Sequence, residues 1–302
     1  MSDRAAPAPL AWWLNFDADR ELELGAGYNP RDATRARLAT LVAPGLVAEH
    51  DRVLAATTRL PASTYAGRAF CPTPRALAAL GRAGAVVPEA PSFAVLRTVN
   101  HRGFFAALGQ GLPGAAFVRD RAALERALAA PSPTGCFLLK RPFGFAGRGR
   151  RRVAPAARGP DDERWLDLSL ASGEGLQVEP FVERAGDFGL HAFLARSGAL
   201  AVGAPTVQET SATGAWLATR RAAPGELGDA EQAALARAVT EAAAALAAAG
   251  YFGPFGVDAF RYRTASGALA WNPRCELNAR YSMGWAIGMG SARPDRAGDG
   301  AR

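Results

Sequence analysis

The sequence predicts an α/β protein: an N-terminal α/β domain followed by a strand-rich second half. Three observations predict it. Up to Pro131 a single strand signal is followed by helical patterns, and from Cys136 short apolar runs broken by glycine turns take over. Within that second half Ala230 to Ala249 forms the clearest helical pattern of the chain. With 302 residues, 49% of them hydrophobic and 21% charged, the chain can bury a full core spread over two or three subdomains.

In chain order, Trp12 to Phe16 reads as a first strand running into a loop at Asp17-Ala18-Asp19. Apolar residues recur at helical spacing over Arg31 to Val42. Pro74 to Ala83 is helical, with Thr73 as its cap and proline in its first turn. Pro88, Pro91 and Ser92 close the N-terminal domain, placed at residues 1–92. Phe93 to Leu108 reads as one helix, and Asp120 caps another from Arg121 to Ala130. Cys136 to Lys140 and Arg150 to Val153 are strands around a glycine-rich turn, and Pro155 to Arg164 is a loop. Leu176 to Val182 is a strand; Gly189 to Ala195 pairs with Leu200 to Ala204 across Ser197-Gly198. Asp229 caps the long helix and Gly250 stops it. Gly256 to Arg263 and Ala268 to Trp271 flank the hairpin signal Ser266-Gly267. Polar, glycine-rich residues 291–302 read as a disordered tail.

Composition excludes several classes. No apolar stretch reaches the roughly 18 to 20 residues that span a bilayer, and Met1 to Leu14 shows no basic region followed by an apolar core of signal-peptide length. The three cysteines, Cys71, Cys136 and Cys275, are far apart and without a CxxC, which fits a reducing, cytoplasmic setting and no zinc site. A net charge of +7 invites a nucleic-acid partner, but the arginines are dispersed and interleaved with acids. No nucleic acid or membrane partner is expected. The run Arg148-Gly149-Arg150-Arg151-Arg152 reads as a solvated hairpin edge, some of whose arginines could meet phosphate.

Lys140 is the single lysine among 35 basic residues. A chain that uses arginine everywhere else and keeps one lysine points to a place that needs a compact ammonium. It ends an apolar strand and enters Arg141-Pro142-Phe143-Gly144-Phe145-Ala146-Gly147-Arg148-Gly149, whose glycines let backbone N–H groups approach phosphate oxygens. The plain alternative is a hairpin turn with a surface lysine. The spacing is not that of a P-loop.

Near the C-terminus, Glu276, Asn278 and Arg280 alternate in Cys275-Glu276-Leu277-Asn278-Ala279-Arg280, so an extended backbone projects all three from one face. A carboxylate and an amide oxygen suit magnesium, and an arginine beyond them can grip phosphate. Centring the hairpin on Ser266-Gly267 sets Asp258 opposite Cys275. One extra residue near Pro273 would bring Glu276 level with Asp258 instead. The alternative is a polar strand face whose acids pair with arginines.

Taken together, Lys140 before its glycine-rich hairpin, the strand ending Gln177-Val178-Glu179-Pro180-Phe181-Val182, then Gly256-Val257-Asp258 and Glu276-Leu277-Asn278-Ala279-Arg280 resemble the ATP-grasp superfamily over Phe93 to Gly288. The resemblance implies two α+β lobes, 93–175 with a lid and 176–290 with a metal site, clamping ATP between antiparallel sheets behind the N-terminal α/β domain. It implies that Lys140 and Arg102 contact phosphate, Arg102 standing where the family usually has lysine, and that Gly144, Gly147 and Gly149 belong to the lid. Glu179, Phe181 and Val182 would form the hinge reading the adenine edge, and Asp187, with Glu183 as rival, would bind ribose. Asp258, Glu276 and Asn278 would hold Mg²⁺ or Mn²⁺, and Arg280 would stabilise charge during transfer. The implied activity is ATP-dependent ligation of a carboxylate to an amine through an acyl phosphate, and a homodimer is compatible with it. Rival readings are phosphate transfer to an alcohol, trapping by a thiol or carbanion, or a nucleotide- or nucleic-acid-binding module without catalysis. His50, His101 and His191 are isolated, no Gly-x-Ser-x-Gly occurs, and Trp12 and Trp13 read as packing residues.

Overall fold

The computed structural model describes residues 9–25, 27–31, 34, 45–61, 64–109, 111–144, 149–210, 216–291 and 293–296. The N-terminal lobe is a parallel sheet of β1 (Leu10–Trp13), β2 (Arg52–Val53) and β3 (Ala66–Ala69), with β1 central. Between β1 and β2, Asp17 to Asp19 is not a loop: Ala18–Leu24 forms helix α1, with Asp19 and Glu21 in its first turn, where acids meet the positive end of the helix. The helical pattern over Arg31 to Val42 falls largely outside the described residues. Helix α2 (Pro74–Ala83) follows the expected bounds, and its Ala76, Leu80 and Ala83 bury against Ala11 and Ala69.

The predicted helix Phe93 to Leu108 is two helices, α3 (Phe93–Asn100) and α4 (Arg102–Ala106). At His101 the backbone turns extended, and its imidazole Nδ1 accepts the Gly103 N–H, so the side chain itself caps α4. A four-stranded antiparallel sheet then forms from β4 (Ala116–Val118), β5 (Phe137–Lys140), β6 (Arg150–Val153) and β7 (Leu176–Pro180), in the order β4-β7-β5-β6. Helix α5 (Arg121–Leu128), capped by Asp120, covers it together with α6 (Pro160–Leu170). Where the sequence suggested a loop, α6 begins: Pro160 opens the first turn, three acids follow, and Asp162 reaches back to the Gly159 N–H.

The third sheet is antiparallel and the largest. It runs through β8 (Glu183–Leu194), β9 (Leu200–Val202), β10 (Thr206–Thr210), β11 (Trp216–Arg221), β12 (Gly253–Arg263) and β13 (Leu269–Asn278), ordered β11-β10-β8-β12-β13 with β9 beside β8. The long helix α7 (Asp229–Ala248) packs Leu235, Val239, Ala242 and Leu246 beneath it, and Leu96, Val99 and Phe105 of α3 and α4 share that core. The cap is Gly228 rather than Asp229: Glu231 returns to the Gly228 N–H, placing Asp229 inside the first turn. A short helix, α8 (Trp285–Met289), ties the N-terminal sheet to this one, Trp285 packing in one cluster with Trp12 and Phe16. The tail reading fails for residues 293–296. Asp295 is 4% exposed there and accepts from the Tyr281 hydroxyl and from Arg293, so this stretch is packed by charge rather than by apolar surface. Residues 297–302 lie outside the described residues.

His191, on β8, is enclosed where the sheet meets α8. It is 3% exposed, and its Nδ1 has no hydrogen-bond partner among the described residues. A Cβ on Gly288 would stand 2.6 Å from Nδ1 and one on Gly256 2.9 Å from Cδ2, so both glycines make room for the ring. Burial lowers its pKa to about 4. The unfolded chain takes up this proton near the ordinary value of ~6.5, so stability is full above that pH and drains away as pH falls towards 4. Linkage sets the expected loss at about 3 kcal/mol. Chemical denaturation between pH 7 and 4 should show it, and His191→Leu should flatten this part of the profile; an unchanged slope in the variant would place the titration elsewhere.

Candidate functional site

Strands β12 and β13 set the core of the site. Asp258 pairs in register with Glu276, Val257 with Leu277 and Gly256 with Asn278, so Asp258, Glu276 and Asn278 share one face. The register arises differently from the simple expectation. Residues 264–268 form the connection, with Arg263 opposite Leu269, and three residues, Pro273 to Cys275, face Ala259 alone. The bulge therefore carries two extra residues where one was expected, and Asp258 and Glu276 meet all the same.

Hydrogen bonds fix these side chains. Asn278 Nδ2 donates to Asp258 Oδ2 at 3.0 Å, and Gln208 Nε2 on β10 donates to Oδ1 at 2.7 Å. Gly189, opposite Asp258 on β8, leaves space for that contact: a Cβ there would lie 3.1 Å from Gln208 Nε2 and 3.4 Å from Asp258 Oδ1. Arg102, at the start of α4, meets Glu276 at 2.8 Å and donates from Nε to the Arg141 carbonyl at 3.0 Å. Burial and the neighbouring Glu276 charge push Asp258 up to about 7. Burial also acts to raise Glu276, but Arg102 and Lys140 outweigh it and hold the carboxyl at about 2. Two carboxylates thus stand side by side, one strongly anionic and the other resisting its charge.

The four-stranded sheet faces this cluster with cations. Lys140 is 6% exposed and its Nζ lies 2.7 Å from Glu179 Oε2. Its register partners are Arg150 on β6 and Gln177 on β7, which places all three on one face. Between the sheets runs a cleft of about 500 Å³, lined among others by Asp19, Arg102, Glu179, Glu276, Asn278 and Arg280. Its size falls in the usual range for small-molecule sites. No protein-family model matches the chain, and no curated protein matches it in sequence. Among solved structures it is similar to N5-carboxyaminoimidazole synthetase from Staphylococcus aureus complexed with ADP, at TM-score 0.50 and 11% identity over 93% of this chain and 73% of that one. It is also similar to pyruvate carboxylase from Rhizobium etli, at TM-score 0.50 and 14% identity over 93% of this chain and 27% of that one. The chain has the ATP-grasp fold.

The four-stranded sheet includes β7 (Leu176–Pro180), so the division expected between residues 175 and 176 would cut that sheet, and the expected site residues distribute unevenly between it and the large antiparallel sheet. Asp258, Glu276, Asn278, Arg102, Lys140 and Glu179 converge. Gly144 lines the cleft. Gly149 has φ +73° and its carbonyl accepts the Arg141 N–H, closing the base of the glycine-rich loop, whereas Gly147 lies outside the described residues. Asp187 rather than Glu183 joins the cluster: it is held by Arg184 at 2.6 Å and its charge reaches Asp258, while the Glu183 side chain is 72% exposed. Val182 is buried with Leu112, Phe260 and Tyr262, an apolar wall against which Cys275 packs.

Two expectations need correction. The Phe181 backbone does not face the cleft as hinge-reading would require, since its N–H donates to the Cys136 carbonyl and its own carbonyl accepts from Thr134 Oγ1. Nor is the arginine run a uniformly solvated edge. Arg152 is exposed and stacks on Phe181, and Arg151 pairs with Asp162. Arg150, though, is half-buried beside the site: burial and the charges of Arg184 and Arg102 lower its pKa against the pull of Glu276.

Several site residues carry no sequence signal of their own. Asn100, on α3, accepts the Ala279 N–H at 3.0 Å and donates to the Ala279 carbonyl at 3.2 Å, pinning the backbone between Asn278 and Arg280. Gln208 sits on a strand that the sequence pattern did not reveal. Asp19 pairs with Arg280 across 261 residues. Alternation in the Glu-x-Asn-x-Arg segment identified Arg280, but nothing local identified Asp19, Asn100 or Gln208 as the partners that hold the site.

Proposed function

We propose that the chain is an ATP-dependent ligase that activates a carboxylate as an acyl phosphate and joins it to an amine. The observation that carries this reading is the placement of Asp258, Glu276 and Asn278 opposite Lys140 and Arg102 across one cleft between two antiparallel sheets. The ADP named with the Staphylococcus aureus neighbour supports a nucleotide in that cleft. Asp258 and Glu276, with the Asn278 amide, suit Mg²⁺ or Mn²⁺: a cation between two adjacent carboxylates replaces their repulsion by attraction, and hard oxygen donors match it. When bound, the cation supplies charge neutralisation between phosphate oxygens.

The rest falls to the chain. Lys140 and Arg102 bind phosphate oxygens, with Arg150 close by on the lid strand. Asp187 takes the ribose hydroxyls, and the base packs beside Leu112 and Cys275, where that apolar cluster reaches the cleft. The substrate carboxylate oxygen attacks the terminal phosphorus and ADP leaves. The amine nitrogen then attacks the acyl carbon, phosphate leaves, and the nitrogen loses a proton. Arg280 stabilises the charge that develops on the transferred group. Positioning and electrostatics suffice for these steps, so the absence of a Ser or Cys nucleophile motif is no obstacle. Among the described residues no helix is long and apolar enough to cross a membrane.

The test is release of ADP and phosphate from Mg-ATP against a panel of carboxylic acids and amino acids. An amide product is expected in step with ADP. ADP formed with a phosphorylated alcohol, or with a thioester, would replace the ligase reading by phosphotransfer or thiol ligation, and no nucleotide binding at all would remove it.

A further inference from the structure

We propose that Asp19, supplied by the N-terminal lobe, is a positioning residue that aims the Arg280 guanidinium at the terminal phosphate and keeps it off the metal-binding carboxylates. The inference rests on the ligase reading above.

Asp19 is 5% exposed and stands at the wall of the cleft, not in an apolar core. Both of its oxygens meet one edge of Arg280, Oδ2 at 2.9 Å from Nη2 and Oδ1 at 3.5 Å from Nε. Arg280 Nη1 donates to the Tyr281 carbonyl at 3.1 Å, so two separate anchors set the plane of the guanidinium. Burial acts to lower the Arg280 pKa, but the Asp19 charge and hydrogen bond, together with the charges of Cys71 and Glu276, raise it above the ordinary value.

The helix that carries Asp19 is itself clamped on either side of it. Glu21 accepts from Thr73 Oγ1 at 2.7 Å and from the Arg75 N–H at 3.1 Å, and Asp17 accepts from Arg75 Nη2 at 3.1 and 3.2 Å. An acid held this firmly is pre-organised to orient its partner.

The alternative partners for Arg280 are visible in the electrostatics. Its charge acts on both Asp258 and Glu276. Without Asp19 those two acids still attract Arg280, and a guanidinium drawn to them would compete with the cation. Asp19 therefore separates two roles that would otherwise collapse onto one another: carboxylates for the metal, arginine for the phosphate.

Isothermal titration with ADP and with a β,γ-methylene ATP analogue, both with magnesium, tests this. The wild type should prefer the analogue. In Asp19→Asn that preference should fall at least about tenfold, as for loss of a charge-assisted hydrogen bond, while ADP affinity changes less than about twofold. Arg280→Ala should show the same loss, and Asp19→Asn combined with Arg280→Ala no more than Arg280→Ala alone. If Asp19→Asn does not fold, Asp19→Glu keeps the charge one methylene further out and should lose part of the preference. Full preference in the Asp19 variant, equal loss of ADP and analogue binding, or additive effects in the double variant would each overturn the proposal while leaving the ligase reading in place. A wild type that binds neither nucleotide would end both.

Discussion

Glu276→Gln is expected to cut ADP formation at least ~100-fold, the scale seen when a group that stabilises transition-state charge is removed, while the fold survives. Glutamine keeps the length of the side chain and an oxygen that can still accept from Arg102, now 2.8 Å from the carboxylate. Both partners remain partly solvated, with side-chain exposures of 15% and 29%. The stability loss should therefore stay near 1 kcal/mol, a shift of about 2 °C in unfolding temperature for a chain of this size. Function has no such reserve. Glu276 is the carboxyl that the surrounding cations hold at about 2, so it is the dependable negative charge of the pair, whereas its neighbour Asp258 is pushed to about 7. With glutamine in place, the cation would rest on one carboxylate, Asp258, and two neutral amides. Titrating magnesium against ADP release separates the causes: a metal ligand predicts a higher magnesium requirement as well as a lower plateau. Wild-type turnover at saturating magnesium would take Glu276 out of the metal site.

What could be read in the sequence was what repeats locally. Alternation put Glu276, Asn278 and Arg280 on one face, and the structure has β13 ending there with Asp258 across from Glu276. The same logic named Lys140, because a single lysine in an arginine-rich chain stands out without any structure. Contacts closed by the topology were not legible. Asn100 pins Ala279 over a separation of 179 residues, and Asp19 holds Arg280 from a helix that the sequence suggested was a loop. Strand β10 escaped notice because Thr206-Val207-Gln208-Glu209-Thr210 is short and mostly polar, yet its polar face is what the site uses, through Gln208. Helix α6 was hidden by Pro160 and three acids, which read as loop composition until they are seen as the first turn of a helix.

Lys140→Arg carries the second large effect: nucleotide affinity should fall by roughly 10- to 100-fold although the charge is kept. A purely coulombic account predicts almost no change, so the substitution tests shape. Lys140 is 6% exposed, its ammonium lies 2.7 Å from Glu179, and Arg150 and Gln177 flank it on the same sheet face. A guanidinium is wider, planar and directional, and a pocket closed around a compact ammonium must shift to admit it; overpacking of that kind costs about 1–3 kcal/mol. The displaced group would also press a second planar cation against Arg150, already destabilised by Arg184 and Arg102. Lys140→Met supplies the contrast. It preserves volume and removes the charge, leaving Glu179, 8% exposed, without its counter-ion, so stability and binding should fall together. Titration calorimetry with Mg-ATP, alongside thermal unfolding, distinguishes the two: Lys140→Arg should lose affinity with only a modest loss of stability. Affinity equal to wild type in the arginine variant would mean that the lone lysine reflects composition and that phosphate is held by Arg102 and Arg150 instead.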